Sequence, residues 1–157
     1  MISLMYVTGG HRLPDFNDRT SIPYVDLIIA ELLRWRPTAP LGVHHQSQQP
    51  DIYKGYYFPS GTTFIPNIWG VFHDEKIFSE PERFRPERFL KENAGFDTYT
   101  MGAFGYGRRV CPGRYLADSS MWLALAQILS AFIIQPKRDG QGQEVLPSLD
   151  YKGGLVM

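Results

Sequence analysis

A single cysteine, Cys111, lies in the glycine-rich stretch "FGYGRRVCPGRYLAD", directly before a long apolar segment. A thiolate is favoured where backbone N–H groups and a helix N-terminus face it, because both stabilise negative charge. Gly105, Gly107 and Gly113 permit backbone conformations and close approaches that a Cβ atom would prevent. Arg109 can meet an anionic group of a ligand. The stretch therefore indicates either a site for a large flat partner or a loop that holds a buried, inert thiol.

A carboxylate and a guanidinium interrupt the apolar face of an earlier predicted helix. Glu31 shares that face with Tyr24, Leu27 and Ile28, and Arg34 follows one turn later. If the pair is buried, each charge needs the other and further hydrogen bonds, because losing one member of a buried pair costs ~3 to 5 kcal/mol. If it is exposed, it contributes a few tenths of a kcal/mol. Residue spacing alone leaves both possibilities open.

The length and charge of the chain limit the class of protein to which these residues can belong. A chain of 157 residues is sized for one domain that buries roughly 70% of its unfolded surface. Sixteen basic and sixteen acidic residues cancel, so we expect no nucleic-acid partner. One cysteine excludes an intramolecular disulfide and a multi-cysteine zinc site. The N-terminus lacks the pattern of a secretory signal, and the apolar run "WLALAQILSAFII" is shorter than the ~20 residues that span a bilayer.

The elements around the two clusters are helices and short strands. A serine followed by a proline in the first turn predicts a helix over residues 21–35. The segments "LGVHHQ", "DIYKGYYF" and the end of "PSGTTFIP" each predict a short strand of a small antiparallel sheet. A short helix is expected within "NIWGVFHDEKIF", and the prolines of "SEPERFRPERFLKEN" predict an irregular, ordered loop.

The longest predicted helix runs from Gly113 to about Phe132. Its apolar stripe is expected to contain Leu116, Trp122, Leu123, Ala126, Leu129 and Phe132. A polar, hairpin-like turn over residues 136–143 follows between "AFII" and "EVLP". Together these elements predict a mainly α fold with small β-sheets, of the α+β class.

The cysteine stretch resembles the haem-binding loop of the cytochrome P450 family. It matches the pattern Phe-x-x-Gly-x-Arg-x-Cys-x-Gly at Phe104, Gly107, Arg109, Cys111 and Gly113. The resemblance covers nearly the whole chain and is greatest to fungal members of the microsomal type. It implies that residues 1–157 form a partial domain, the C-terminal haem-ligating part, from which the N-terminal half and the final segment of the family's domain are absent.

The resemblance also assigns the two charged residues of the first helix. The sequence "ELLR" resembles the Glu-x-x-Arg helix of the family, and "FRPERF" resembles the loop whose arginine completes a Glu-Arg-Arg triad. Glu31, Arg34 and Arg88 are therefore implied to form a buried structural network on the side of the haem that faces the cysteine. Because "PERF" occurs twice, Arg83 is a rival for Arg88.

The implied cofactor is haem, iron protoporphyrin IX, with Cys111 as its axial metal ligand and catalytic residue. Arg109 is expected to bind a haem propionate, and Phe104 is expected to shield the sulfur. His45 is assigned to a propionate by its place after the first helix, with His44 at the position where the family often has proline.

The implied activity is monooxygenation of an apolar small molecule, an oxidoreductase reaction on paired donors that incorporates O2. NADPH supplies electrons through a partner flavoprotein reductase. A full-length relative is expected at the cytosolic face of the endoplasmic reticulum membrane, attached through the absent N-terminal portion. The resemblance implies that the distal oxygen-activating residues belong to the absent part, so the chain is expected to be catalytically incomplete on its own.

Two other functions compete with this interpretation. The first is a non-catalytic haem-binding remnant, which the missing distal half favours. The second is an enzyme with a cysteine nucleophile, in which His44, His45 or His73 would serve as the base.

Overall fold

The structure is a computed structural model, and it describes residues 8–90 and 102–148. The helices are α1 (Pro23–Trp35), α2 (Ile68–Phe72) and α3 (Arg114–Ala131). The strands are β1 (His45–Gln46), β2 (Asp51–Tyr53), β3 (Tyr56–Phe58), β4 (Thr63–Phe64), β5 (Lys137–Arg138) and β6 (Glu144–Val145). Short 3₁₀ turns lie at Phe16–Ser21, Pro86–Phe89 and Gly107–Arg109. The predicted class, mainly helical with small antiparallel sheets, is confirmed.

The chain divides into two compact units, and the division falls within α1. Of the described residues, the first unit contains residues 8–29 and 112–148, and the second contains residues 30–90 and 102–111. In the first unit the 3₁₀ turn at Phe16–Ser21 begins with a capping box, in which Asp15 and Asp18 each accept a backbone N–H of the other. Its buried apolar residues are Ile22, Val25, Ile29, Trp122 and Ala126.

The predicted apolar stripe of α3 is right only near the middle of the helix. Trp122 and Ala126 are fully buried, and Leu123 and Leu129 are half-buried. Leu116 and Phe132 are 74% and 68% exposed, so their assignment to the core is wrong for this structure. At about 100° per residue, Leu116 projects roughly 120° away from Trp122 around the helix axis, and Phe132 lies beyond the last residue of α3 on extended backbone (φ −128°, ψ 146°).

The second unit contains two separate strand pairs where the sequence predicted one small sheet. Strand β1 pairs antiparallel with β4, with His45 opposite Phe64, and β2 pairs antiparallel with β3. The expectation that residues 51–58 form a single strand is wrong, because the chain reverses at Lys54 and Gly55. Their φ values are 51° and 84°, and positive φ at both central positions is what a two-residue hairpin turn requires.

The apolar core of the second unit is built around α2. Ile68, Phe72 and Phe78 are buried together, and the rings of Phe72 and Phe78 meet edge to face with centroids 6.4 Å apart. Asn67 caps this helix by accepting the Gly70 N–H at 2.9 Å. The described part of the following proline-rich segment is an ordered loop with a 3₁₀ turn, and residues 91–93 of that prediction lie outside the described residues.

The predicted polar turn after α3 forms a hairpin. Strands β5 and β6 pair antiparallel, with Lys137 opposite Val145. The strands are shorter and closer to the turn than the flanking segments "AFII" and "EVLP" suggested. The Asp139 carboxylate accepts the backbone N–H groups of Gln141 and Gln143 at 2.8 and 2.9 Å, which stabilises the turn.

Candidate haem-thiolate site

The cysteine loop is closed by its own backbone. The Cys111 N–H donates to the Phe104 carbonyl at 2.8 Å, so the first and last residues of the loop are joined. Inside this closure the Arg109 N–H donates to the Tyr106 carbonyl, and the Val110 N–H donates to the Gly107 carbonyl, each at 3.2 Å. The loop therefore presents the cysteine from a turn that is closed by backbone hydrogen bonds.

Two glycines of this loop adopt backbone conformations that other residues disfavour. Gly105 has a φ of 83° and Gly107 has a φ of 54°, both in the left-handed region. A Cβ atom at Gly107 would meet no other atom within 4 Å, so this side of the loop is open. Gly113, with a φ of −82°, adopts a conformation available to any residue. The prediction that glycine is needed for conformation therefore applies to Gly105 and Gly107.

The side chains that the loop presents can bind a metal-containing, anionic cofactor. Cys111 is a free and exposed thiol, which excludes the alternative of a buried, inert cysteine for the described structure. Arg109 is exposed and makes no ion pair with a described residue. Thiolate is a soft ligand that suits iron, and a free guanidinium suits a carboxylate. These residues fit a haem: one thiolate for the iron, one cation for a propionate and an open glycine surface.

Glu31 and Arg34 form a fully buried ion pair on α1. Arg34 Nε donates to Glu31 Oε2 at 2.8 Å, and Nη2 donates to Oε1 at 3.0 Å. The remaining donors of Arg34 reach the backbone carbonyls of Phe72 and Pro81 at 2.9 and 2.7 Å. The sequence left burial and exposure open, and the structure places both side chains at 0% exposure. Burial is tolerated because every charge has a counter-charge or a hydrogen bond.

Arg88 is the third charged group of this cluster. Its Nε lies 3.1 Å from Glu31 Oε1, and its Nη atoms donate to the carbonyls of Ser79, Glu80 and Arg83 at 3.0 to 3.3 Å. Burial lowers the pKa of the Arg88 guanidinium, and the charge of Glu31 opposes that shift. Arg83 does not contact Glu31; its 66% exposed side chain reaches Glu80 at 3.4 Å.

Sequence reasoning missed part of this cluster. The backbone N–H of Arg85 donates to Glu31 Oε1 at 2.8 Å, and the backbone carbonyls that bind Arg34 and Arg88 had not been anticipated. The need for further acceptors could have been inferred from the side chains alone, because two buried guanidinium groups carry more N–H donors than one carboxylate can accept. Phe72, the last residue of α2, and the loop between α2 and the 3₁₀ turn at Pro86–Phe89 supply the missing acceptors.

The three candidate histidines lie at two places in the second unit, His44 and His45 at β1 and His73 directly after α2. His44 and His45 are exposed, and His45 is paired with Phe64 in the strand pair β1–β4. The His73 side chain is 7% exposed, and its Nδ1 lies 3.1 Å from the Trp69 carbonyl. None of the described histidines has a hydrogen bond to the cysteine thiol, so the described geometry offers no base for a cysteine nucleophile.

The described residues show two further negative results. No group of three or more histidine, cysteine or acidic side chains in residues 8–90 and 102–148 is arranged to hold a metal ion. No helix within the same ranges is long and apolar enough to cross a membrane. A cavity of about 500 Å³ beside Arg88, lined by Ile77, Phe78 and Phe89 among others, includes no residue of the cysteine loop.

The described residues fit a haem bound through a cysteine thiolate, and comparisons with known proteins identify the family of the chain. The sequence model described as Cytochrome P450 matches residues 4–156. The chain is 43% identical over 148 residues to a cytochrome P450 monooxygenase of Armillaria gallica, with 94% of this chain and 29% of that protein aligned. It is 42% identical over 158 residues to cytochrome P450 monooxygenase 176 of Postia placenta, covering 96% of this chain and 30% of that protein. The chain belongs to the cytochrome P450 family.

A multifunctional cytochrome P450 monooxygenase of Aspergillus fumigatus is 41% identical over 150 residues, which cover 96% of this chain and 28% of that protein. Among solved structures, a zebrafish cytochrome P450 determined with abiraterone superposes with a TM-score of 0.85 and 32% identity, over 99% of this chain and 36% of that chain. The chain thus spans 28–30% of the length of these curated relatives.

Proposed function

We propose that this chain is the haem-ligating part of a haem-thiolate monooxygenase, with Cys111 as the axial ligand of the iron. The single observation that carries the proposal is the exposed thiol at the end of a loop closed by the bond from the Cys111 N–H to the Phe104 carbonyl. Membership of the cytochrome P450 family supplies the cofactor class. The proposal treats residues 1–157 as a partial domain, because the curated relatives are more than three times longer.

Each residue of the loop has a separate task in this proposal. Arg109 binds a haem propionate, because its guanidinium is exposed and has no described acidic partner. Phe104 packs near the ligand loop and shields the sulfur, and Gly107 leaves room for the approach of the macrocycle. Gly113 belongs to the same motif. His45, exposed on β1, is proposed as a second contact to a propionate.

The cluster of Glu31, Arg34 and Arg88 has a structural task. Its charges are satisfied by one another and by backbone carbonyls, so none of the three charged groups needs a ligand as a partner. We propose that the cluster holds α1, α2 and the proline-rich loop of the second unit together. In this proposal the cluster lies on the side of the haem that faces the cysteine.

Haem ligated by a thiolate supplies the chemistry of oxygen activation, because the sulfur donates electron density that favours cleavage of the O–O bond. The proposed substrate is an apolar small molecule that receives one oxygen atom of O2, while the other atom is reduced to water with two electrons and two protons. NADPH is the proposed source of electrons, delivered through a flavoprotein reductase. The proposed location is the cytosolic face of the endoplasmic reticulum membrane.

Titration of the chain with haem tests the ligand. The reduced chain treated with carbon monoxide should give the red-shifted Soret band of thiolate ligation, and Cys111→Ala should abolish it. A histidine-type spectrum that is unchanged by Cys111→Ala would refute the proposal. Haem binding without turnover by a chain of full length, in the presence of NADPH and a reductase, would support the alternative of a haem-binding protein that is not catalytic.

Adjacent exposed arginines give a matched pair for the propionate contact. Arg109→Gln should weaken haem binding by about tenfold, the lower range for loss of a supporting contact at a metal site. Arg108→Gln removes the same charge one residue earlier and should leave the affinity unchanged within error. Equal losses of haem affinity in the two variants would show that only net charge matters, and would contradict the contact between Arg109 and a propionate.

A further inference from the structure

A segment near the start of the chain runs along helix α3 in the first unit. Gln127 Nε2 donates to the Pro14 carbonyl at 3.1 Å, and the Phe16 ring lies 6.3 Å from the ring of Trp122, centroid to centroid. As the segment advances from residue 14 to residue 19, its partners move back along α3 from residue 127 to residue 118. Residues 14–19, called the strap below, therefore pack antiparallel to α3.

Arg19 ends the strap and joins two helices. Its Nη1 donates to Asp118 Oδ2 at 2.7 Å, and its Nη2 donates to Asp118 Oδ1 at 3.1 Å. Its Nε donates to Asp26 Oδ1 at 3.0 Å. The guanidinium carbon lies 5.8 Å from the centroid of the buried Trp122 ring. The hydrogen bond with Asp118 raises the pKa of Arg19, and the planar fork of arginine allows both carboxylates to be held at once.

Arg19 joins the helix that follows the cysteine loop to the helix that carries the Glu31–Arg34 pair. Asp118 is the fifth residue of α3, which begins three residues after Cys111. Asp26 lies in the first turn of α1, five residues before Glu31 on the same helix. Because only Pro112 and Gly113 separate the cysteine from α3, displacement of the first turns of that helix is transmitted along the backbone to the ligand.

We propose, on the basis of the function proposed above, that Arg19 is a positioning residue for the haem ligand, acting through Asp118 and Asp26 to restrain the start of α3. A supporting group that holds a metal ligand in place affects ligation even though it does not touch the metal. Arg19 is separated from Asp118 by 99 positions, so this role follows only from the three-dimensional contact.

The test compares Arg19→Gln, Arg19→Lys and Asp118→Asn with the matched control Arg12→Gln. Arg12 forms a similar two-bond ion pair, but its bonds to described residues all stay within residues 12–18. The readouts are the share of the carbon monoxide complex that shows thiolate ligation, the rate of haem release, and hydrogen exchange of the Ala117 amide, which donates to the Gly113 carbonyl, in the haem-free chain.

Arg19→Gln and Asp118→Asn should both lower the thiolate-ligated share and release haem about tenfold faster. The double variant should be no worse than Arg19→Gln alone, because Asp118 acts only through its bonds with Arg19. Arg19→Lys should restore part of the signal, and the Ala117 amide should exchange faster in Arg19→Gln. Arg12→Gln should match the wild type in every readout.

The inference is overturned if Arg19→Gln behaves like the wild type, or if Arg12→Gln loses as much thiolate ligation as Arg19→Gln. A wild-type chain without the thiolate band would overturn the proposed function and this inference with it. A wild-type chain with the band and an Arg19→Gln variant that retains it would overturn the inference alone. Should Arg19→Gln fail to fold, Asp118→Asn decides by the same criteria, because it leaves the Arg19–Asp26 bond in place.

Discussion

Arg88 Nε lies 3.1 Å from Glu31 Oε1, although 57 positions separate the two residues in the chain. The motif "PERF" that contains Arg88 occurs a second time at residues 81–84. There the equivalent residue, Arg83, is exposed and pairs with Glu80. Identical local sequence therefore gives one buried and one solvated arginine, and the difference lies in what the folded loop places beside each.

This repeat provides a controlled measurement of the buried pair. Arg88→Ala should lower the free energy of unfolding by about 3 kcal/mol, because it leaves the Glu31 carboxylate short of a counter-charge and frees three backbone carbonyls. Arg83→Ala should change it by no more than about 0.5 kcal/mol. Urea unfolding of both variants measures the difference, and equal losses would show that Arg88 is not held as the structure describes.

The carboxylate of the same cluster should be still more sensitive. Glu31→Gln keeps the shape of the side chain but leaves the guanidinium groups of Arg34 and Arg88 buried without a negative charge, which should cost about 3 to 5 kcal/mol. Glu80→Gln is the matched control, because Glu80 pairs with arginines at 56% exposure and should cost at most about 1 kcal/mol. A small effect at Glu31, similar to that at Glu80, would contradict the description of a buried network.

The sequence predicts the local parts of this cluster better than the distant ones. Glu31 and Arg34 are one helical turn apart, so their pairing follows from α1 alone. The acceptors of Arg34 on Phe72 and Pro81 depend on the path of an irregular loop, which no periodicity encodes. The Lys54–Gly55 turn is an intermediate case, because a residue before glycine within an aromatic run is a hairpin signal that was available and was missed.

The same distinction applies to the candidate site. The motif of the loop identifies Cys111 and Arg109 without a structure, and the closing bond from Cys111 to Phe104 follows from a turn whose dihedral angles suit glycine. Arg19 could not be found from the sequence, because its meaning depends on Asp118, which lies on an element almost a hundred residues later. Contacts between elements that are distant in the chain depend on tertiary packing, which cannot be read from the pattern of a single sequence.

His73 should make stability depend on pH. Burial lowers the pKa of His73 from its ordinary value of 6.5, with Arg34 and Arg36 adding to the shift and with Glu82, 3.9 Å from Nε2, opposing it. The unfolded chain therefore binds this proton more readily than the folded one, so the stabilisation is complete above about pH 6.5 and is lost as the pH falls below it.

Unfolding midpoints measured across that range should decline on acidification, and His73→Gln should remove part of the decline. His44→Gln, at an exposed position, should leave it as in the wild type. An unaltered decline in His73→Gln would show that another group is responsible.

Asp18 should titrate far below an ordinary aspartate. The hydrogen bond from Arg12, helped by the backbone N–H of Asp15, lowers the pKa of Asp18 from 3.8 to about 2. Since the folded pKa is the lower one, the stabilisation is present above the unfolded value and is lost as the pH falls from about 3.8 towards 2.

NMR titration of the Asp18 carboxyl carbon measures this directly, and Arg12→Gln should move the midpoint upward. A midpoint that stays in place in Arg12→Gln would mean that the backbone hydrogen bond alone sets the pKa.

Gly107 should tolerate an added methyl group poorly even though there is space for it. Its φ of 54° is left-handed, which costs a residue with a Cβ atom roughly 1 to 2 kcal/mol, whereas the surrounding volume is empty within 4 Å. Gly140 has the same empty surroundings without a left-handed φ, so Gly140→Ala isolates the effect of space from that of backbone conformation.

Gly107→Ala should therefore lower the free energy of unfolding, and Gly140→Ala should leave it nearly unchanged. Gly107→Asn should lower it less than Gly107→Ala does, because asparagine accepts this conformation. If denaturant unfolding ranked Gly107→Ala with Gly140→Ala, the left-handed turn before Cys111 would not be the conformation of the loop in solution.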